Sequence, residues 1–552
     1  MTLKVPQRMV GDWAKELIDE CTVSRDSRRE QLRIWKNYYQ AGTETGDQAR
    51  YNRCFGHVDR LASYLFSPAD TRFDIELDLT DPAEDMAIAE AASRFLNREF
   101  SRCGVDVEFS QAVNWALVKG ATLVKVVWGN DGPEPWLVHP EFFGVLREDI
   151  ADLDRQEAFV HTTYVTPSEF KRQLADHPER EALLKEVEVQ SKPQREQDQF
   201  TDSYFHQILI GGLNPVSTTG ISQGQGSVAI APSVPMLAAE VARKLIRIDE
   251  LWVLDYERQD WTTIRLVYPD IVIEGKYKRR NLSGVEGEHP FRKICPNDTD
   301  GYFWGASEII QIAPLQDMLN GQLRDWTRLT RLKADPPRAM IGFAGMTNEK
   351  YRALRRPAGF ISEDQPNAKI ETLAPDIPPE LMQAIDKTLN YFDDVAGFAP
   401  ILAGQGEQGV RAGVHAQTLA RNASPRMRDR ALLVERQCVD VGELVFKLLQ
   451  EKDAHVYNAE KKQQFYLKNV KDDYRITVDS HTSSPAFSED NERKAFTLAR
   501  YGAIDHADLI MLTHPPHEDT LVLRARQRAE QEAKLMQQHP ELMLKGKGKS
   551  KK

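Results

Sequence analysis

The stretch from Gly301 to Glu451 constrains the fold more than any other part of the chain. It holds two one-sided helical patterns, a glycine-rich interruption and then a third, very long pattern. Ile312, Leu315, Leu319, Leu323, Trp326 and Leu329 recur every three or four residues, the period of a helix with one apolar stripe. The pattern ends at Ala334-Asp335-Pro336-Pro337, where paired prolines remove backbone donors and push the preceding residue out of the α region. Pro378-Pro379 opens the second helix, since a proline in the first turn forfeits no intrahelical bond. Leu381, Ile385, Leu389 and Phe392 give that helix one buried side. Gly397, Gly404, Gly406, Gly409 and Gly413 then break the periodicity, and so many residues that lose much entropy on ordering predict a mobile loop. From Val414 the stripe Ala416, Ala420, Met427, Ala431, Val434, Cys438, Val441, Val445 and Leu449 predicts a rod of roughly 50 Å, with Pro425 as its kink. A helix that long is marginal on propensity alone and needs partners along its length, in the same chain or in copies of it.

The remainder reads as α+β. Helices are predicted at Trp13 to Gln40, Asn52 to Phe66, Pro82 to Phe100 and Val107 to Lys119, and Arg25, Arg28, Arg29, Arg33 and Lys36 on the first are expected to form a solvated face. Phe73 to Leu79 alternates apolar and acidic residues, the period of a strand with one wet side. The β-branched run Ala121 to Trp128 predicts a buried strand, with Gly129 to Pro133 as turn and Pro135 to Val138 as hairpin partner. Phe159 to Val165 is a further strand before a helix capped at Thr166. The polar, Gly/Ser/Pro-rich segment of about 191–235 reads as an exposed insertion. Leu251 to Leu254, Trp261 to Val267 and Ile271 to Ile273 fit a meander. Tyr474 to Val478 is a late strand, Glu489 to Tyr501 and Thr520 to Gln538 are late helices, and Lys545 to Lys552 is a basic tail.

A length of 552 residues fits several compact units, and a net charge of −11 argues against affinity gained simply by coating a phosphate backbone. Five cysteines at wide spacings form no CxxC pair, which points to folding in a reducing cytoplasm. The start Met1-Thr2-Leu3-Lys4 lacks an apolar leader core, and no run approaches the ~20 apolar residues of a membrane span.

The search for chemistry assigns no catalytic residue, no metal ligand and no cofactor. Gly548-Lys549-Ser550 ends like a phosphate-cradling loop, but the first glycine of that motif would fall at Met543 and no strand precedes it. His139 and His161 have no acidic or cysteine partners at ligand spacing and read as structural. Asp386, Asp393 and Asp394 read as a charged helix face, and the competing reading is a nuclease holding Mg²⁺ there. A cellular scaffold built on a helical rod is a third possibility.

Three motifs in order, His289-Pro290-Phe291, Gly301-Tyr302-Phe303-Trp304-Gly305-Ala306-Ser307 and Ile312-Ala313-Pro314-Leu315-Gln316-Asp317-Met318-Leu319-Asn320, resemble the entry into the stem of tailed-bacteriophage portal proteins. Ser483-Ser484-Pro485-Ala486-Phe487 resembles the segment after that family's tunnel helix. The resemblance implies a wing at 1–300, stem helices at 301–334 and 376–396, a clip at 335–375 and a tunnel loop at 397–413. It also implies a tunnel helix at 414–452, wing return strands at 453–485 and crown helices with the basic tail at 486–552. The assembly it implies is a ring of about twelve copies at one capsid vertex, a non-enzymatic head–tail connector through which double-stranded DNA is packaged and ejected without sequence preference. Such a ring belongs to the virion and assembles in the bacterial cytoplasm. Implied partners are the terminase large subunit, head–tail adaptor and tail proteins, and major capsid and scaffolding proteins, with no membrane involved. By the same resemblance Arg338, Lys350, Arg352, Arg355 and Arg356 belong to the clip interface, and Gln405, Gln408, Arg411 and Arg421 lie nearest the DNA. Arg426, Arg428, Arg430 and Arg436 follow on the tunnel helix and are expected in part to face neighbouring subunits.

Overall fold

The computed structural model describes residues 10–40, 51–68, 71–77, 82–129, 131–175, 177–190, 246–255, 260–268, 270–274, 285, 287–299, 301–336, 338–341, 347, 349, 369–372, 376–396, 425–452, 454–458, 463–467, 470, 474–478, 495–513, 521–522, 524–529 and 531. The expected insertion at 191–235 and the basic tail lie outside the described residues.

Helix α1 (Val10–Tyr39) lies on a five-stranded antiparallel meander of β4 (Phe143–Val145), β5 (Ala158–Val165), β6 (Ile246–Asp255), β7 (Asp260–Val267) and β8 (Ile271–Glu274). Side chains alternate across a strand. Val160, Leu251, Val253, Ile264 and Leu266 therefore meet Ala14, Leu17, Ile18 and Cys21 of α1, while Phe159 and Trp252 turn to the other face. There they pack with Phe143, Phe291, Phe303 and Trp304 in an aromatic core. The expected hairpin forms as β2 (Thr122–Trp128) and β3 (Pro133–Val138), with Leu123 opposite Val138, and β9 (Phe291–Ile294) completes that sheet in the order β3-β2-β9.

The largest core is helical. Val58, Leu61 and Leu65 of α2 (Arg53–Leu65) and Ala112, Val113, Ala116 and Leu117 of α4 (Val105–Lys119) pack with α3 (Pro82–Arg102) and with Val441, Leu444, Val445 and Leu448 of a long helix described below. Each large aliphatic side chain buried this way contributes ~1.5–3 kcal/mol. Asn52 caps α2 by accepting the Phe55 N–H at 3.1 Å. Strand β1 (Phe73–Leu77) buries Phe73 and Ile75, exposes Asp74 and Glu76, and pairs antiparallel with the late strand Tyr474–Val478. Thr166 caps α5 (Pro167–Gln173), and α6 (Arg180–Gln190) follows it.

The basic cluster on α1 departs from the expected solvated face. Arg25 is 3% exposed and Arg28 8%. Arg25 Nη1 donates to the Thr162 hydroxyl at 2.9 Å, and that hydroxyl donates to Asp249 at 2.6 Å. The Arg28 guanidinium lies 4.4 Å from the Trp304 ring centroid. The cause is tertiary cover, with Thr162 of β5 over Arg25 and Trp304 over Arg28, on a face that helical periodicity alone leaves open. Arg29 and Arg33 do keep local ion pairs, with Asp26 and Glu30. The two histidines lie among charged neighbours that the sequence did not show: His139 Nδ1 stands 3.3 Å from Lys119 Nζ, itself paired with Glu141, and His161 lies 3.6 Å from Glu250.

Candidate functional site

The element that stands out is a pair of helices that leaves this body and returns to it. Helix α7 (Ile309–Ala334) runs outward and ends at Asp335. Strands β10 (Arg338–Ile341) and β11 (Lys369–Thr372) pair antiparallel beyond it, and α8 (Pro379–Ala396) returns. Helix α9 (Pro425–Glu451) then crosses the body, followed by the hairpin β12 (His455–Asn458) and β13 (Gln463–Tyr466), by β14 (Tyr474–Val478), and by α10 (His506–Thr513).

The root of α7 is built from backbone contacts that only small residues permit. Gly120 has φ +92°, and a Cβ there would lie 2.6 Å from the Trp304 carbonyl oxygen; Gly305 has φ +63°, and a Cβ there would lie 2.4 Å from Cys295 Sγ. The Glu308 N–H donates to Leu117 O at 2.8 Å, and the Ser307 hydroxyl donates to Val118 O. The Glu308 carboxylate, 1% exposed, sits 3.3 Å from His57 Nε2 of α2, accepts from Asn297 Nδ2 at 3.0 Å and pairs with Arg430 Nη1 of α9 at 3.3 Å. Burial pushes this carboxyl up, but the His57 hydrogen bond and the Arg430 charge outweigh it and hold the group below the ordinary range. One charge thus joins three helices.

Further out, Gln316 is buried and fully engaged: its Oε1 accepts from the Arg53 N–H at 2.9 Å and its Nε2 donates to Tyr51 O at 3.0 Å. The Arg53 N–H is one of the donors that the start of α2 leaves without an intrahelical acceptor. Asp317 accepts from the Tyr38 hydroxyl at 2.7 Å. Beyond Asn320 no residue of α7 is buried, and that outer half packs on α8. The two helices run antiparallel, as their contacts with each other and with α2 show. The Thr388 hydroxyl lies 3.0 Å from Gln322 Oε1, Lys333 lies 3.9 Å from Asp376, and Asp393 reaches back to Arg53 at 3.3 Å and Arg60 at 3.7 Å. Asp393 is therefore more than part of a solvated face. No group of three or more His, Cys, Asp or Glu placed to hold a metal occurs among the described residues.

Helix α9 docks through Gln437, which accepts from the Cys295 N–H at 3.0 Å and donates to the Cys295 carbonyl at 3.1 Å, satisfying the edge of β9. Gly442 lets the Phe73 ring approach so closely that a Cβ there would lie 2.4 Å from it. Buried Cys438 has its thiol pushed up by burial, which makes it inert.

Of the residues singled out from sequence, Arg338 opens β10 opposite Thr372, and Lys350, Arg352, Arg355, Arg356, Gln405, Gln408, Arg411 and Arg421 lie outside the described residues. Pro425, expected inside a longer helix as a kink, is the first residue of α9, and 397–424 lie outside the described residues. Arg430 takes its partner, Glu308, within the chain. Sequence reasoning missed Glu308, Gln316 and Gln437; a lone Glu directly before a helical pattern was the one available signal.

No family model matches the chain, and no characterised relative matches it by sequence. Among solved structures, a chain from the virion of a native gene transfer agent particle is 11% identical over 88% of this chain and 93% of its own length, at a TM-score of 0.39. A chain from the neck of an empty gene transfer agent particle is 12% identical over 84% of this chain and 90% of its own length, at a TM-score of 0.37. Superpositions this loose carry no argument here. Among the described residues, no helix is long and apolar enough to cross a membrane.

Proposed function

We propose that this chain is a portal protein, whose ring at one capsid vertex is the channel for DNA packaging and ejection and the platform on which the terminase motor and the head–tail adaptor dock. The observation that carries the reading is the succession α7, β10–β11, α8 and α9. A helix leaves the body, a two-stranded tip follows, an antiparallel helix returns, and a long helix crosses the core. That is the order of stem, clip, stem and tunnel helix implied by the motifs at 289–320. In this reading the clip arginines Arg338, Arg352, Arg355 and Arg356, with Lys350, meet the motor and adaptor. Gln405, Gln408, Arg411 and Arg421 meet phosphates rather than bases, so translocation is blind to sequence.

The exposed apolar residues on the helix pair support the same reading. Met318, Trp326, Met382 and Tyr391 stay exposed after α7 and α8 have packed on each other, as expected of surfaces that a neighbouring copy covers. A head-to-tail contact that closes by rotation makes a ring.

The test is native mass spectrometry with negative-stain imaging of the purified chain. The expected result is a closed ring of about a dozen copies with a central hole. A monomer or dimer, both alone and under capsid-assembly conditions, would overturn the reading.

A further inference from the structure

The α7–α8 pair has two outer faces, and they carry opposite charge. Contacts with α8 fix one side of α7, through Gln322 and Lys333. On the opposite side Arg324, Arg328 and Arg331 follow at spacings of four and three residues, one helical stripe, all exposed. On α8 the inward side holds Ile385, Thr388 and Phe392. The side turned away from α7 carries Glu380, Gln383, Asp386, Asn390 and Asp394, all exposed, with Lys387 as its one cation. The antiparallel register set by Gln322–Thr388 and Lys333–Asp376 puts Arg324 level with Asp386 and Arg331 level with Glu380.

In a cyclic ring whose α7–α8 pairs stand along the axis, all copies share one height, so a residue of one copy meets residues of the same level on the next. We infer that the arginine stripe of α7 is an interaction surface for a second copy of this chain, docking against the acidic outer face of its α8. This rests on the ring reading above and adds which faces meet and in what register. Charge complementarity selects the second copy as occupant, because Arg324 and Arg331 come level with Asp386 and Glu380 without axial shift. Met382, exposed and level with Arg328, supplies apolar area beside the acidic face. Like charges brought together across such a contact oppose it strongly, which gives the ring its direction of assembly.

Two full-length variants test this. Arg328→Glu with Arg331→Glu makes both outer faces acidic, and Glu380→Arg with Asp386→Arg makes both basic. Circular dichroism and thermal melting establish that each is folded. Each variant alone should require a concentration roughly tenfold or more above wild type to form rings. A one-to-one mixture should restore rings with the two variants in equal number by native mass spectrometry, since alternating copies are complementary again. Wild-type rings should also loosen toward 1 M salt, where screening reaches within about 3 Å.

Folded variants that each form rings as readily as wild type would overturn the inference while leaving the ring reading intact. So would a mixture that stays unassembled. Variants that assemble normally but lose DNA retention would instead make the arginine stripe a nucleic-acid surface. A wild-type chain that never forms rings would sink the ring reading itself, and this contact with it.

Discussion

At the scale of single residues, Gly442 and His139 show how the fold depends on contacts that periodicity does not report. Gly442 lies inside α9 because the Phe73 ring occupies the space its Cβ would take. Gly442→Ala should therefore destabilise the chain by ~1–3 kcal/mol, the usual cost of overpacking, although alanine is the better helix former. Adding Phe73→Leu to it should recover part of the loss in denaturant unfolding, whereas Phe73→Leu alone should only destabilise. His139 is held at a pKa of about 3, against an ordinary 6.5, by burial first and then by the Lys119 charge. It is neutral in the fold and protonated once unfolded between those two values. Stability is thus full above about 6.5 and falls with pH below it, at about 1.4 kcal/mol per pH unit for this group. Unfolding titrations at pH 7, 6 and 5 should show that slope, and His139→Gln should flatten it; an unchanged slope would assign the loss to other groups. Buried His161 and His289, whose pKa values burial also lowers, add to the slope in the same direction. The sequence marked His139 as structural from its lack of ligand partners. Nothing local in the sequence marks Arg25 and Arg28 as buried, because their cover, Thr162 and Trp304, lies more than a hundred residues away.

At the scale of elements, legibility followed locality. Helices α1, α2, α7 and α8 were readable from three-four spacing, β1 from strict alternation, and the meander from β-branched runs between turns, since each of these signals lies within one segment. Strand β9, only Phe291–Ile294, and the pair β10–β11 were too short to show a period. The root of α7 was hidden for a different reason: Glu308 acquires its meaning from His57, Asn297 and Arg430, which lie on three other segments. Removing its charge should therefore act on the joint between helices rather than on α7 alone. Glu308→Ala strips a buried carboxylate from two basic groups and should cost ~3–5 kcal/mol, while Glu308→Gln, which keeps a hydrogen-bonding oxygen, should cost less. Hydrogen exchange provides the discriminating readout. Faster exchange confined to the first turn of α7 would mean a local cap, whereas faster exchange in α2 and α9 as well would mark Glu308 as the group that holds the three together.

At the scale of the whole molecule, the body and the segment after α8 have separate roles in the proposed ring. Pairing of β1 with β14 joins residues about 400 positions apart and, together with the shared core of α2, α3, α4 and α9, fastens the base of the helix pair to the body. In the proposed ring that body and the α7–α8 pair make the wall. In that proposed ring the segment 397–413, with its glycines, would supply the contacts to DNA, and the net charge of −11 would keep the grip on phosphates weak enough for the duplex to slide. The two roles are separable by deletion. Removing Gly404–Gly413 takes out Gln405, Gln408 and Arg411 but none of the residues that anchor α7, α8 or the described part of α9. The deleted chain should form rings of wild-type mass, while packaging assays in the assembled head should show DNA that enters poorly or slips back out. Rings with undiminished packaging and retention would remove the loop from the DNA path and turn attention to the arginines at the start of α9. Loss of the ring itself would mean that the loop belongs to the wall, holding neighbouring copies together.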